Sequence, residues 1–176
     1  MVRTHTSRLF LTAALATALA ACSGGTPAEA PAEAPAGDAA AAAPAGDAAA
    51  LVKERHDNFE EIGDAFKAVR GELDKDAPDF ALIAASATDI NARAMKIEGH
   101  FPAGTSVDDG FKTEALATIW EKPEEFKAAT QKLLDESAKL AELAKGGDKA
   151  AVAAQAMALG GSCKGCHDKF RLDDKK

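Results

Sequence analysis

Five residues near the end of the chain, Cys163-Lys164-Gly165-Cys166-His167, set the terms that the rest of it has to meet. On a helix, positions i, i+3 and i+4 share a face, so both thiols and the imidazole can address one flat ligand. Two cysteines separated by two residues and followed directly by histidine match the attachment sequence of c-type haem. There the thiols add across the two vinyl groups and the imidazole ligates the iron. The other chemistries open to a CxxC pair are a disulfide switch and half of a zinc site. A four-cysteine zinc site needs a second pair, and a thioredoxin-like switch needs a βαβ context; the sequence offers neither.

Ahead of this motif the periodicity is helical. Val52, Arg55, Phe59, Ile62, Phe66, Val69 and Leu73 recur at alternating spacings of three and four, the seam of a packed helix. Arg55 is the wrong residue for an apolar seam unless it meets an anion, for which a haem propionate would serve, or snorkels near the helix end. A second helix is expected from near Pro78 through Phe80, Ile83, Ala87, Ile90, Ala94 and Ile97, stopping at Gly99. Residues 99–111 read as the longest loop. A short turn follows around Glu114 to Trp120. A third long helix begins at Pro123-Glu124-Glu125 and ends at Gly146-Gly147. Asp148 is placed to cap the last helix, which carries the motif. There is no Tyr and a single Trp, and β-branched residues are sparse, which favours helix over strand. Four long helices with short connections predict an all-α, antiparallel four-helix bundle enclosing one covalently bound haem, seated where the small residues Ala156 and Gly160 leave the core unfilled.

The beginning of the chain is different. Residues 1–21 read as an export signal: Arg3 and Arg8, no acid, then a short apolar run from Leu9 to Ala21. That run is too short to span a bilayer as a mature helix. Leu19-Ala20-Ala21-Cys22 resembles the lipobox of bacterial lipoproteins, which makes Cys22 the expected lipidation site. The alternative is ordinary cleavage that leaves Cys22 as a thiol. Ser23, where Asp would mark the inner membrane, resembles outer-membrane sorting. Residues 22–50 then form a low-complexity linker of Ala, Pro and Gly with no large side chain to bury, expected to be disordered and to hold the 51–176 domain off a membrane surface. Without Arg3 and Arg8 the 21 basic residues fall to 19 against 28 acidic, a formal charge of −9. An acidic mature chain is a poor match for nucleic acid. It suits soluble exchange with redox partners on the periplasmic side, where c-type haem is attached.

The residues of the domain resemble the cytochrome c′ family, the class II c-type cytochromes. The likeness covers about residues 51–173: Arg55, Phe59 and Ile62-Gly63 on the first helix, Ile119-Trp120 before the third, Gly161-Ser162 ahead of Cys163, and Asp168 with Phe170-Arg171 after His167. Position adds specificity, because class I cytochromes carry CxxCH near the N-terminus. In the family, the residue four after the first-helix arginine packs over the distal haem face; that residue is Phe59, which cannot ligate iron. The resemblance therefore implies His167 as sole axial ligand, a five-coordinate iron open to NO and CO, and a pocket including Arg55, Phe59, Ile62 and Arg171. Arg171 corresponds to the family's proximal arginine, or is simply a cation favoured at a helix C-terminus. Members often pair through their first two helices, which leaves a homodimer open.

Two other functions compete. A six-coordinate electron carrier needs a second ligand, and the Met-ligated sister group supplies it from the first helix. This chain has no Met there: Met95 belongs late in the second helix and Met157 lies ten residues before His167. His56 flanks the seam, and His100 is expected at the surface. A peroxidase needs a distal acid–base group, which Phe59 does not supply, so no enzymatic activity is expected.

Overall fold

The computed structural model describes residues 45–173; the expected export signal, Cys22 and most of the expected linker lie outside the described residues. Five α-helices are α1 (Ala45–Leu73), α2 (Phe80–Ala94), the single-turn α3 (Thr118–Glu121), α4 (Pro123–Gly146) and α5 (Lys149–Phe170), with a 3₁₀ turn over Glu98–His100. The four long ones form the antiparallel bundle. Among the described residues none is long and apolar enough to cross a membrane.

Local chemistry sets the helix ends. Asp79 caps α2 by accepting from the amides of Ala81 and Leu82, so Pro78 stands before the cap and not, as expected, in the first turn. Asp148 caps α5 in the same way through Ala150 and Ala151. Gly147 ends α4 in the left-handed region at φ 70°, a conformation open to glycine without strain. The first helix starts at Ala45, inside the stretch read as linker. Its opening turns are rich in alanine, the strongest helix former, with Asp47 in the first turn, and Ala48 is buried. Low complexity here concealed the first turns of a helix. At the other end α2 stops at Ala94, although Ile97 still reaches the core from the turn that follows.

The helices pack in the order α1–α2–α4–α5, and α1 and α5 touch at few points. One end of the bundle is a closed core: Val69, Ile83, Leu140 and Val152 are each fully buried, worth about 1.5–3 kcal/mol apiece. Polar ties fix the register of the helices. Asn91 donates to the Leu134 carbonyl (2.8 Å) and to Ser137 Oγ (3.0 Å), and Gln155 donates to the carboxylate of Glu136 (2.6 Å). At the opposite end the space between α1 and α5 is not filled by aliphatic side chains.

The segment between α2 and α4 closes that end. Its middle, residues 105–116, runs as a strap from α1 to the end of α5. Val107 N–H donates to the Ala115 carbonyl (2.9 Å), Leu116 N–H to the Phe170 carbonyl (3.0 Å) and Leu172 N–H to the Glu114 carbonyl (2.7 Å), making an antiparallel bridge between Ala115 and Arg171.

Candidate functional site

Beneath the strap lies a cavity of about 910 Å³, at the upper end of the range for small-molecule and cofactor pockets. Its α1 wall is Val52, Arg55, Phe59, Ile62 and Phe66, and its α4 wall is Phe126, Ala129, Thr130 and Leu133. Cys163, Cys166, His167 and Phe170 face it from α5, and Phe111 to Ala115 from the strap. Helical periodicity alone brings the two thiols and the imidazole to this wall, as their spacing demands. The lining is mostly apolar and aromatic. Phe101 is its hub, 6.3 Å from Phe59, 4.9 Å from Phe126 and 6.1 Å from Trp120 between ring centroids. The Trp120 indole N–H donates to the Phe101 carbonyl (3.2 Å).

The electrostatics follow from burial. It raises the Cys163 thiol and pushes Cys166 up to about 11, with the neighbouring Cys163 a second cause. Both are therefore neutral thiols at neutral pH. His167 is lowered, first by desolvation and then by the Arg171 cation, with Asp168 opposing. A lowered imidazole is neutral at pH 7 and has a lone pair to give a metal. Cys163 and Cys166 carry no disulfide.

Arg55 is only 3% exposed, and burial lowers it to about 10, so it remains a cation. It meets no protein carboxylate among the described residues. Its donors go to Thr105 Oγ1 (3.2 Å), the Thr105 carbonyl (2.9 Å) and Thr113 Oγ1 (2.8 Å), and its guanidinium lies 4.6 Å from the Phe101 centroid. A buried cation without a carboxylate, on the wall of a cavity that also presents two thiols and an imidazole, fits an apolar macrocycle bearing acidic groups. That macrocycle is haem. When bound it would supply an iron, for which the His167 imidazole on this wall has the donor chemistry.

Other expected site residues fall as follows. Ile62 is buried and Phe59 partly so, both on the α1 wall. Arg171 lines the cavity but is not helical: it is the extended cap of α5, exposed, and its Nε pairs with Glu114 at 3.0 Å. Ala156 and Gly160 do not line the cavity, contrary to expectation. Gly160 makes room for Phe66, whose ring would lie 3.3 Å from a Cβ at that position. His56 reaches the cavity edge, but its side chain is exposed and pairs with Glu60 (3.3 Å). His100 is half-buried, where a surface residue was expected, and its Nδ1 is buried without a hydrogen-bond partner. Phe101, Thr105 and Thr113 carried no sequence signal, because their roles come from irregular backbone that brings them to Arg55 from far along the chain, fifty residues away for Thr105 and 58 for Thr113.

Two thiols and one imidazole facing an apolar cavity in a four-helix bundle define a c-type haem protein. Comparison with known proteins narrows the class. The family model described as "Cytochrome C'" matches residues 50–171. The chain is 39% identical over 123 residues to cytochrome c′ of Pararhodospirillum photometricum, covering 69% of this chain and 96% of the relative. Among solved structures it resembles cytochrome c prime from Shewanella frigidimarina at 31% identity and a TM-score of 0.65, covering 72% of this chain and 97% of that one. It also resembles a nitric oxide complex of a mutant cytochrome c prime from Alcaligenes xylosoxidans at 27% identity and a TM-score of 0.62, covering 70% and 94%. The chain belongs to the cytochrome c′ family and binds one covalently attached haem c.

Proposed function

We propose that the chain binds NO and CO at a five-coordinate haem iron, with NO capture or buffering as its physiological role. The observation that carries this reading is the α1 wall. It presents Phe59 and Ile62 to the cavity and no methionine, while Met95 and Met157 are 69% and 74% exposed. Around Phe59 and Ile62 that wall is hydrocarbon, so small neutral gases enter there more easily than anions, and neither side chain can take the sixth position. The nitric oxide complex of the Alcaligenes relative supports the same reading. A six-coordinate electron carrier would need a second protein ligand. The α1 residue with the chemistry for it is His56, which is held by Glu60 at the exposed edge. Changes of redox state remain open to a five-coordinate iron, so exchange with redox partners fits beside gas binding.

The setting belongs to the same proposal. An export signal over residues 1–21 and lipid on Cys22 would tether the domain on the periplasmic side of a bacterial membrane, with outer-membrane sorting favoured by Ser23. Each acyl CH₂ would add about 0.8 kcal/mol of anchoring. Adding CO to the reduced protein tests the gas site: saturable binding with a changed Soret band is expected, and an unchanged spectrum contradicts an open iron site. Mass spectrometry of the membrane fraction tests the anchor, which an unmodified Cys22 would remove.

A further inference from the structure

We propose that Lys112, on the strap, is the partner of one of the two haem propionates and Arg55 of the other. The proposal rests on the covalent haem c and not on the gas-binding reading. Haem c carries two carboxylates, and a carboxylate at the edge of an apolar pocket is stabilised by a cation or by several N–H donors. Besides His167, five side chains that can carry positive charge line the cavity: Lys53, Arg55, His56, Lys112 and Arg171. Three of these already have carboxylate partners. Lys53 pairs with Asp57, His56 with Glu60 (3.3 Å) and Arg171 with Glu114 (3.0 Å). The two that pair with no carboxylate among the described residues are Arg55 and Lys112. Two unmatched cations face a ligand with two negative charges.

The pair also lies together. Arg55 Nη2 donates to Thr113 Oγ1 at 2.8 Å, and Lys112 is the residue before Thr113. Both cations therefore stand where α1 meets the strap. Their remaining capacity is complementary. Arg55 commits three N–H groups to Thr105 and Thr113, and a guanidinium has five, so two are left for a carboxylate at a buried position. Lys112 is exposed and has no hydrogen-bond acceptor among the described residues, suited to a carboxylate at the rim. A strap lysine is thus a haem-binding residue that gives no motif in the sequence.

Arg55 also holds the strap, so a variant there confounds binding with folding; Lys112 is exposed and avoids that difficulty. The test uses the full-length holoprotein with Lys112→Gln, Lys112→Arg and, as control, Lys132→Gln on the outer face of α4. A cation beside a propionate stabilises the reduced, less positive haem. The midpoint potential is expected to fall in Lys112→Gln, to hold in Lys112→Arg and to hold in Lys132→Gln. In the unmodified holoprotein, acetylation of Lys112 is expected to be several-fold slower than that of Lys132. A Lys112→Gln potential equal to wild type, or acetylation of Lys112 at the Lys132 rate, overturns the proposal. Failure of the gas-binding reading would show in CO binding and leaves both readouts unaffected.

Discussion

Replacing Arg55 with Met keeps a long apolar stem and removes the three hydrogen bonds that hold the strap to α1. The consequences can be worked through atom by atom. Thr105 Oγ1 retains a partner, since it donates to the Pro102 carbonyl (2.8 Å), and Thr113 Oγ1 still accepts from the Ala115 amide (3.2 Å). Among the protein's own groups, the one left without its donor is the carbonyl of Thr105, a residue that is 0% exposed. An orphaned buried acceptor costs about 1–3 kcal/mol, and loss of the contact with Phe101 adds roughly 0.5–2 kcal/mol. Against this, Met carries no charge to be desolvated by the burial that lowers the pKa of Arg55. The net expectation is a loss of about 1–3 kcal/mol, or a fall in Tm of roughly 3–15 °C for a domain of this size. Thermal unfolding of the holoprotein measures the loss, and hydrogen exchange at the Val107 and Leu116 amides localises it to the strap. A variant with wild-type Tm and unchanged exchange at those amides would refute the reasoning, because the strap would then be held by something other than Arg55.

Truncating Phe59 to Ala removes a ring from the α1 wall and from its edge contact with Phe101. CO association with the reduced protein should speed by about tenfold or more, that is by at least about 1.4 kcal/mol of barrier, and an unchanged flash-photolysis rate would mean that Phe59 does not guard the iron. At Gly160 two effects oppose. Ala gains about 0.5–1 kcal/mol of helix propensity but places a Cβ 3.3 Å from Phe66, so Gly160→Ala should be near neutral, whereas Gly160→Val overpacks by about 1–3 kcal/mol; equal denaturation midpoints for the two variants would contradict that contact. Asp109 accepts from the Ser106 hydroxyl (2.6 Å) and amide (2.8 Å), which hold its carboxyl below the usual 3.8. The stability it contributes is present above that value and lost as pH falls through the lower folded-state pKa. Asp109→Asn should therefore be less stable than wild type at neutral pH and converge with it in acid, and a stability gap independent of pH would count against the Ser106 bonds.

Local information made part of this molecule legible. Cys163, Cys166 and His167 sit on one helix, so their spacing determines their common face before any packing is known. Asp148 and Gly147 are capping residues whose effect spans a single turn. Arg55 could be identified as a cation where an apolar residue belongs, but its neutral partners Thr105 and Thr113 lie on the strap, and nothing in a non-repeating loop announces them. The same strap hides Lys112 and Phe101, whose importance comes from what α1 and α4 bring against them. The start of α1 was obscured for the opposite reason: an alanine-rich stretch has a strong helix propensity but little to bury, so the linker and the first turns of the helix look alike. Gly160 was read as space for haem because small residues in a core leave volume, and only the packing shows that Phe66 occupies it.

The central claim is that His167 is the sole protein ligand to an iron faced on the α1 side by Phe59. An optical spectrum of the reduced protein without added gas tests it most directly. The reduced protein is expected to show the broad bands of a high-spin, five-coordinate ferrous haem; sharp low-spin α and β bands would show a sixth protein ligand and overturn that claim.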